Sequence, residues 1–418
     1  MQKRSLPVVQ AQYGPGLGSQ SSDYVKDVPM FSPEKLAEIR AAQDIERKWQ
    51  ETVHVTESEH RFTSTGTKLS YHVEAMRRFH ETGYATPIVS HIMPTDVCNL
   101  ECSFCSVGNR NDDKGQKFYG LDFEKINKYL GTLAPLGLKA VILSGGGEPT
   151  AYKDRKGKNF RDLIGMIKGH GLEIGLITNG TMLDRHNDII DDSFRWIRVS
   201  LYPSEYDVGI VKLEKKLPEA TTLGFSLVVA QALKENGKFR LPRDENELLA
   251  HYEGYMANIL SLIQAKGGQY LRLTPDCHTH GDAFITLHNV AERLKEAHSD
   301  VVTEDGRPIV LHQHKMHGTP NNCYLGFFHP VLYADGLVYP CDSNILNDDV
   351  DRRFKPEYSV AAWDTVAELY QKPVKSLVNT RGMCPRCVFS RNNAQLEKIL
   401  TEGAENPTGE VPNHFNFI

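Results

Sequence analysis

The sequence predicts an α/β fold on a parallel sheet, and two observations carry that prediction. From Pro87 onward, short apolar runs alternate with amphipathic stretches, the pattern of repeated βα units. The chain is also long enough for it: 418 residues, 40% hydrophobic and 24% charged, can bury one large core or two moderate ones.

Taken in order, residues 1 to about 30 are rich in Gly, Gln, Ser and Pro and lack periodicity, so a mobile or draped arm is expected. Ser32-Pro33-Glu34 then opens a helix: Ser32 can accept from first-turn amides, Pro33 suits the first helical position, and a charged run continues to about Trp49. A second helix is expected over Leu69–Glu81, closed by Gly83. Strands are expected at Pro87–Met93, Ala140–Ser144, Glu173–Thr178, Trp196–Leu201, Thr222–Ala230 and Tyr270–Leu273. Helices are expected at Phe123–Leu133, Arg161–Gly169, Asn246–Lys266 and Ile285–His298.

No stretch approaches the roughly 20 apolar residues needed to span a bilayer, and the first residues lack an apolar signal-like core. A cytoplasmic protein with no membrane partner is expected. A net charge of −5 argues against a general nucleic-acid binder while leaving a local basic groove open. Eight cysteines are too few for a disulfide scaffold. Their grouping at 98/102/105 and 384/387 suits metal ligation in a reducing compartment.

Cys98, Cys102 and Cys105 place three thiols just after the first strand of the alternating region. Three thiolates at that spacing can wrap one side of a four-iron cubane and leave one iron open for a ligand. Zinc is the other reading, but it needs a fourth ligand, and Ser106–Lys117 offers Asp112 and Asp113 without a Cys or His. C-x3-C-x2-C with an aromatic residue, Phe104, before the last cysteine resembles the cluster loop of the radical S-adenosylmethionine (SAM) enzymes. The resemblance implies that SAM chelates the open iron of a 4Fe-4S cluster through its methionyl amine and carboxylate. It implies further that SAM is cleaved to a 5'-deoxyadenosyl radical, which takes a hydrogen atom from carbon. Six βα units then resemble the family's partial (β/α)6 TIM-like barrel, whose chemistry collects at the carboxyl ends of the strands.

The strand ends carry further matches. Ser144-Gly145-Gly146-Gly147-Glu148 lets backbone approach a ligand closely, and Glu148 can pair with an ammonium group. It resembles the family motif that binds the SAM amino group through Gly146, Gly147 and Glu148, although three glycines and a glutamate alone also make a turn. Thr178-Asn179-Gly180 is similar to a turn common in the family, and equally suits a tight turn before a helix. Alternation puts Arg198 and Ser200 on one strand face. The resemblance implies a ribose contact for Ser200 and, more weakly, for Ser226, while Tyr202 stands where the family has an acid. Arg272, Asp276 and Cys277, at the end of the sixth strand, are expected at the barrel mouth, facing substrate.

A second cysteine group follows: Cys323, Cys341, and Cys384-Pro385-Arg386-Cys387. Asp335-Gly336 between apolar runs predicts a β-hairpin over Phe327–Tyr333 and Leu337–Tyr339, and a helix is expected over Ala361–Gln371. The four thiolates are expected to meet. C-x12-G-x4-C followed by C-x2-C resembles the SPASM domain, and Asn393 in place of a further cysteine points to its shortened "twitch" form. The resemblance implies a second, auxiliary 4Fe-4S cluster; a zinc ribbon is the alternative. The regions are then 1–85, an arm and helical extension; 86–318, the barrel; 319–400, a small hairpin-plus-helix cluster domain; and 401–418, a tail.

The implied activity is hydrogen abstraction from a polar small molecule, such as a sugar or aminocyclitol, followed by oxidation with the auxiliary cluster as acceptor. Cys277 opens another reading, that of a radical epimerase with the thiol as hydrogen-atom donor, though stray cysteines are commonly buried as small apolar residues. Modification of a ribosomal peptide and a non-catalytic iron-sulfur or zinc protein are two more. A flavodoxin- or ferredoxin-type electron donor is the implied partner. His278, His280, Asp282, His312, His314 and His317 lie between barrel and second domain, read chiefly as a hydrated linker and otherwise as substrate contacts or a general base.

Overall fold

The computed structural model describes residues 24–27, 31–53, 55–62, 67–103, 105–107, 120–235, 238–315, 317–344, 354–407, 411–412 and 414–418. Within the expected arm, Tyr24–Lys26 is a strand, β1. Residues 1–23 and 28–30 lie outside the described residues. Helix α1, Pro33–Gln50, starts as its cap chemistry requires, with the Ser32 side chain accepting from Lys35 N. A short helix, α2 (Glu57–Phe62), had no sequence expectation. The expected helix over 69–81 is broken at His72, into a 3-10 turn, Thr67–Tyr71, and α3, Val73–Thr82. The break has a visible cause: the His72 ring bonds Phe415 O at 3.2 Å and Lys68 Nζ turns inward to Phe417 O at 3.2 Å. Gly83 closes α3 at φ 74°, a left-handed geometry suited to glycine.

The parallel strands run close to expectation: β2 Val89–Ile92, β3 Ala140–Leu143, β4 Glu173–Thr178, β5 Phe194–Leu201, β6 Thr222–Val229 and β9 Tyr270–Pro275. Between β6 and β9 lies a small hairpin, β7 (Leu233–Glu235) and β8 (Lys238–Arg240). Around the sheet pack α4 Phe123–Leu133, α5 Phe160–Gly169, α6 Glu245–Lys266 and α7 Asp282–Ala297. Three of the four starts carry a side-chain cap: Asp122 and Asp244 begin α4 and α6, and Asn159 with Asp162 forms a capping box on α5. On α4 the buried residues Ile126, Tyr129, Leu130 and Leu133 recur at helical spacing, and each contributes roughly 1.5–3 kcal/mol over exposure.

A seventh parallel strand, β10 (Val310–His312), pairs with β9 where a linker was expected. After it come α8 (Leu325–Phe328), β11 (Val331–Leu332) and β12 (Leu337–Tyr339). The expected hairpin forms with a shorter first strand, because 325–328 is helical. The expected helix over 361–371 is corrected: Ala361–Ala362 is strand β13, paired with β12, and Val366–Tyr370 is a 3-10 turn. The chain ends in β14 (Ser376–Val378), α9 (Thr380–Met383) and α10 (Ser390–Glu402), with β1 pairing onto β14. One ten-stranded sheet has the order β10-β9-β6-β5-β4-β3-β2-β11-β12-β13. β10 and β13 are its edges, so the barrel is partial, and the hairpin of the C-terminal region continues the barrel sheet through β11 on β2.

Candidate active site

The carboxyl ends of the parallel strands open onto a cavity of about 470 Å³. Cys98, Cys102 and Cys105 line it, half-buried. Their loop is held from several sides: Cys105 N donates to Cys102 O at 3.1 Å, Glu101 N to Tyr206 Oη at 2.9 Å, and Ser103 Oγ to Glu205 Oε1 at 2.6 Å. Burial pushes the Cys98 and Cys102 thiols up, and the neighbouring acids and thiols add to it. Thiolates crowded this closely repel one another, a cost that a cationic metal centre would reverse. Phe104 lies outside the described residues, as do Asp112 and Asp113.

Across from this loop, the glycine turn fits between backbones. Gly147 N donates to Thr95 O and Glu148 N to Val97 O, both at 2.9 Å. A Cβ on Gly147 would meet Val97 O at 2.1 Å, and one on Gly145 would meet Gly147 O at 2.0 Å. Glycine is required at both. Gly146 and Glu148 line the cavity. The Glu148 side chain, 2% exposed, accepts from Thr150 N (3.1 Å), Thr150 Oγ1 (2.6 Å), Thr178 Oγ1 (2.6 Å) and Asn179 N (2.8 Å). Burial raises its carboxyl above the usual range, opposed by those four donors. Asn179 Nδ2 in turn donates to Asn99 Oδ1 at 2.8 Å. Thr178-Asn179-Gly180 is thus both a turn, with Gly180 at φ +77°, and the tie between Glu148 and the cysteine loop.

Ser200 and Ser226 face the cavity from β5 and β6. Tyr202 hydrogen-bonds Ser200, and burial raises its phenol. Ser226 Oγ lies 3.4 Å from Thr274 Oγ1, which donates to Gln313 Oε1 at 3.1 Å. Asp276 and Cys277 line the mouth as expected. Asp276 takes the His278 ring at 3.0 Å; burial works against its ionisation, but His278 outweighs it and holds the carboxyl below the usual range. Burial pushes the Cys277 thiol up, so it stays protonated.

Arg272 lies deeper than the mouth, on the inner wall beside two cations that the sequence did not pair with it, Arg198 and Lys68. Burial lowers Lys68 to about 7, with Arg198 and Arg272 adding to the shift. Arg198 Nε and Arg272 Nε are buried without a hydrogen-bond partner among the described residues. The tail closes this end: Phe417 packs on Trp196 with ring centroids 5.4 Å apart, and Asn416 Nδ2 donates to Glu173 Oε2 at 2.8 Å.

Cys323, Cys384 and Cys387 are buried and Cys341 half-buried. Cys323, Cys341 and Cys384 each feel the charge of others in the group. A hydrogen bond with Cys387 and burial push the Cys384 thiol up, while that bond pulls Cys387 down. Asn393, where a longer domain would carry cysteine, accepts from Tyr324 N at 2.7 Å and approaches Cys387 Sγ at 3.8 Å. Four converging thiols in an apolar shell fit a metal or cluster, since four thiolates without a cation would repel.

The linker histidines are mostly not hydrated. His312 is 1% and His317 5% exposed. His317 faces Glu46 on α1, and His280 Nδ1 accepts from Arg386 Nη1 at 3.1 Å. Tyr206, Glu205, Asn99 and Lys68 had no sequence signal, because each acts on a loop far away in the chain.

Clustered thiols, a glycine cradle and a buried carboxylate at the strand ends of a partial barrel form a pocket whose residues fit a metal cofactor. Residues 92–202 match the model of the Radical SAM superfamily. Its members use a 4Fe-4S cluster and SAM. The GTP 3',8-cyclase of Synechocystis sp. is 34% identical over 100 residues, covering 24% of this chain and 28% of the relative. The tungsten-containing aldehyde ferredoxin oxidoreductase cofactor-modifying protein of Pyrococcus furiosus is 32% identical over 95 residues, covering 21% and 23%. The matched stretch spans about a quarter of the length of these two relatives. Among solved structures, Streptococcus suis SuiB bound to precursor peptide SuiA aligns over 81% of this chain and 78% of its own, at 12% identity and TM-score 0.43. No described helix is long and apolar enough to cross a membrane.

Proposed function

We propose that this chain oxidises a polar small molecule, of the sugar or aminocyclitol kind, at a carbon positioned in the cavity. The observation that carries the reading is the shared cavity: Cys98, Cys102, Cys105, Glu148 and Ser200 line it together with Arg272, Asp276 and Cys277. Cys98, Cys102 and Cys105 would hold a 4Fe-4S cluster, and Cys323, Cys341, Cys384 and Cys387 a second. Bound there with SAM, the first supplies a carbon-centred radical that removes a hydrogen atom, and the second supplies an acceptor for one electron. A low-potential protein of the flavodoxin or ferredoxin class would reduce the first.

The chain's residues do the rest. Gly146, Gly147 and Glu148 orient the SAM amino end, the spare lone pair on Glu148 Oε2 being open to an ammonium group. Ser200 and Ser226 border the nucleoside. Asp276, kept ionised by His278, takes the proton that leaves an oxidised alcohol. The three cations on the inner wall favour a substrate carrying an anionic substituent. Lys68 loses its charge as pH rises through about 7, so KM is expected to rise between pH 6 and pH 8, and Lys68→Met to flatten that rise.

Reduction of the chain with SAM present is expected to release 5'-deoxyadenosine, abolished in Cys98→Ala; its absence from reduced wild type would defeat the reading. Epimerisation is the second reading, supported by a thiol that lines the cavity and stays protonated. Cys277→Ala separates the two: oxidation survives the change, and hydrogen return to carbon does not.

A further inference from the structure

A group of histidines stands apart from both sets of cysteines. His288 is on α7, His312 ends β10 and His314 lies two residues on. One ring nitrogen from each lies within 4.8 Å of the others. His288 and His312 are 0% and 1% exposed. Trp49, near the end of α1, covers the group, its ring centroid 4.4 Å from that of His288. The spacing is simple: two histidines two apart leave a strand on one face, and the third comes from the helix packed beside it.

Their hydrogen bonds leave donor atoms over. His312 Nδ1 meets Glu292 Oε2 at 2.7 Å, which fixes the ring and leaves Nε2 as a lone pair. Glu292 is one helical turn after His288 and is itself held by Lys295 at 2.7 Å. That is the carboxylate–histidine pairing that orients metal-bound imidazoles. His312 Nε2 and His288 Nδ1 are 2.8 Å apart. His288 Nε2 and both ring nitrogens of His314 are buried with no hydrogen-bond partner among the described residues. Glu59 of α2 offers Oε1 3.7 Å from His314 Nε2, while also accepting from Lys295 Nζ at 3.1 Å and His312 N at 3.2 Å.

We propose that His288, His312 and His314 form a mononuclear site for a divalent transition metal of the zinc class, with water in the fourth position. Three imidazoles and a water are a donor set that zinc accepts, with nitrogen ligands at about 2.0–2.1 Å. The site would clamp α7 to the edge strand β10, under α1. Because His312 and His314 also belong to the cavity lining, the metal would border the cavity. This inference does not depend on the proposed reaction.

The test uses the full chain, purified without oxygen and incubated with zinc(II) or cobalt(II), then passed over a chelating resin. One equivalent of metal is expected beyond any iron. Zinc-edge X-ray absorption of the wild type should show nitrogen and oxygen neighbours only, with imidazole outer shells, and the cobalt form should lack thiolate charge-transfer bands. In His288→Gln and His314→Gln the retained metal should fall at least tenfold. No retained zinc or cobalt would overturn the proposal, leaving a hydrogen-bond chain from Glu292 through His312 to His288. Sulfur neighbours alone would also overturn it, and so would undiminished metal in both variants. The wild-type spectrum decides even if a variant does not fold.

Discussion

Glu148 carries four protein donors, three on Oε1 and one on Oε2. A glutamine cannot replace it evenly, since its amide nitrogen would oppose one of those donors. Glu148→Gln is expected to cost roughly 1–3 kcal/mol, read by urea unfolding. It should also loosen the cysteine loop, read as faster alkylation of Cys98 than in wild type. Gly147→Ala is a harsher test, because Val97 O stands 2.1 Å from the added carbon. Its far-ultraviolet circular dichroism should stay close to wild type while iron at the 98–105 loop is lost; full iron with unchanged circular dichroism would mean the turn has slack. These two residues could be read from the sequence because glycines before an acid at a strand end serve backbone approach. Lys68 and Arg198 could not be grouped with Arg272, since only the barrel interior brings them together.

At the scale of elements, the segment 414–418 closes the lower end of the partial barrel through two histidines held neutral. Burial lowers His72 to about 4 and His414 to about 3, each against one carbonyl contact. An unfolded imidazole titrates near 6.5, so below that pH the unfolded state binds more protons than the folded one. The stabilisation is therefore complete above about pH 6.5 and is lost as pH falls toward 4, on the order of 2 kcal/mol for half-buried His72. Fluorescence of Trp196, which packs on Phe417, should report release of the segment over that window; an unchanged signal at pH 4 would contradict it. Elements with caps and long periodicity, such as α4 and β4, could be read to the residue. β10 could not, because three residues inside a polar stretch give no period. The segment 361–371 looked helical, yet pairing with β12 takes Ala361–Ala362 into the sheet.

For the whole molecule, the sequence separated a barrel from a cluster region, and the structure joins their strands in one sheet through β11 and β2. The two cysteine groups are thus carried on one scaffold, as an electron path between two clusters would need. Their spacing is plain in the sequence because thiol ligands sit close in the chain, whereas the histidine group is spread over helix and strand and carries no spacing motif. In the proposed enzyme both cysteine groups hold four-iron clusters. Iron and acid-labile sulfide should be counted in the chain purified without oxygen, beside the variant with Cys98, Cys102 and Cys105 changed to Ala. About eight irons falling to about four is the expected result. About four irons in the wild type, with sulfur-bound zinc beside them, would contradict it and leave the C-terminal cysteines a structural zinc site.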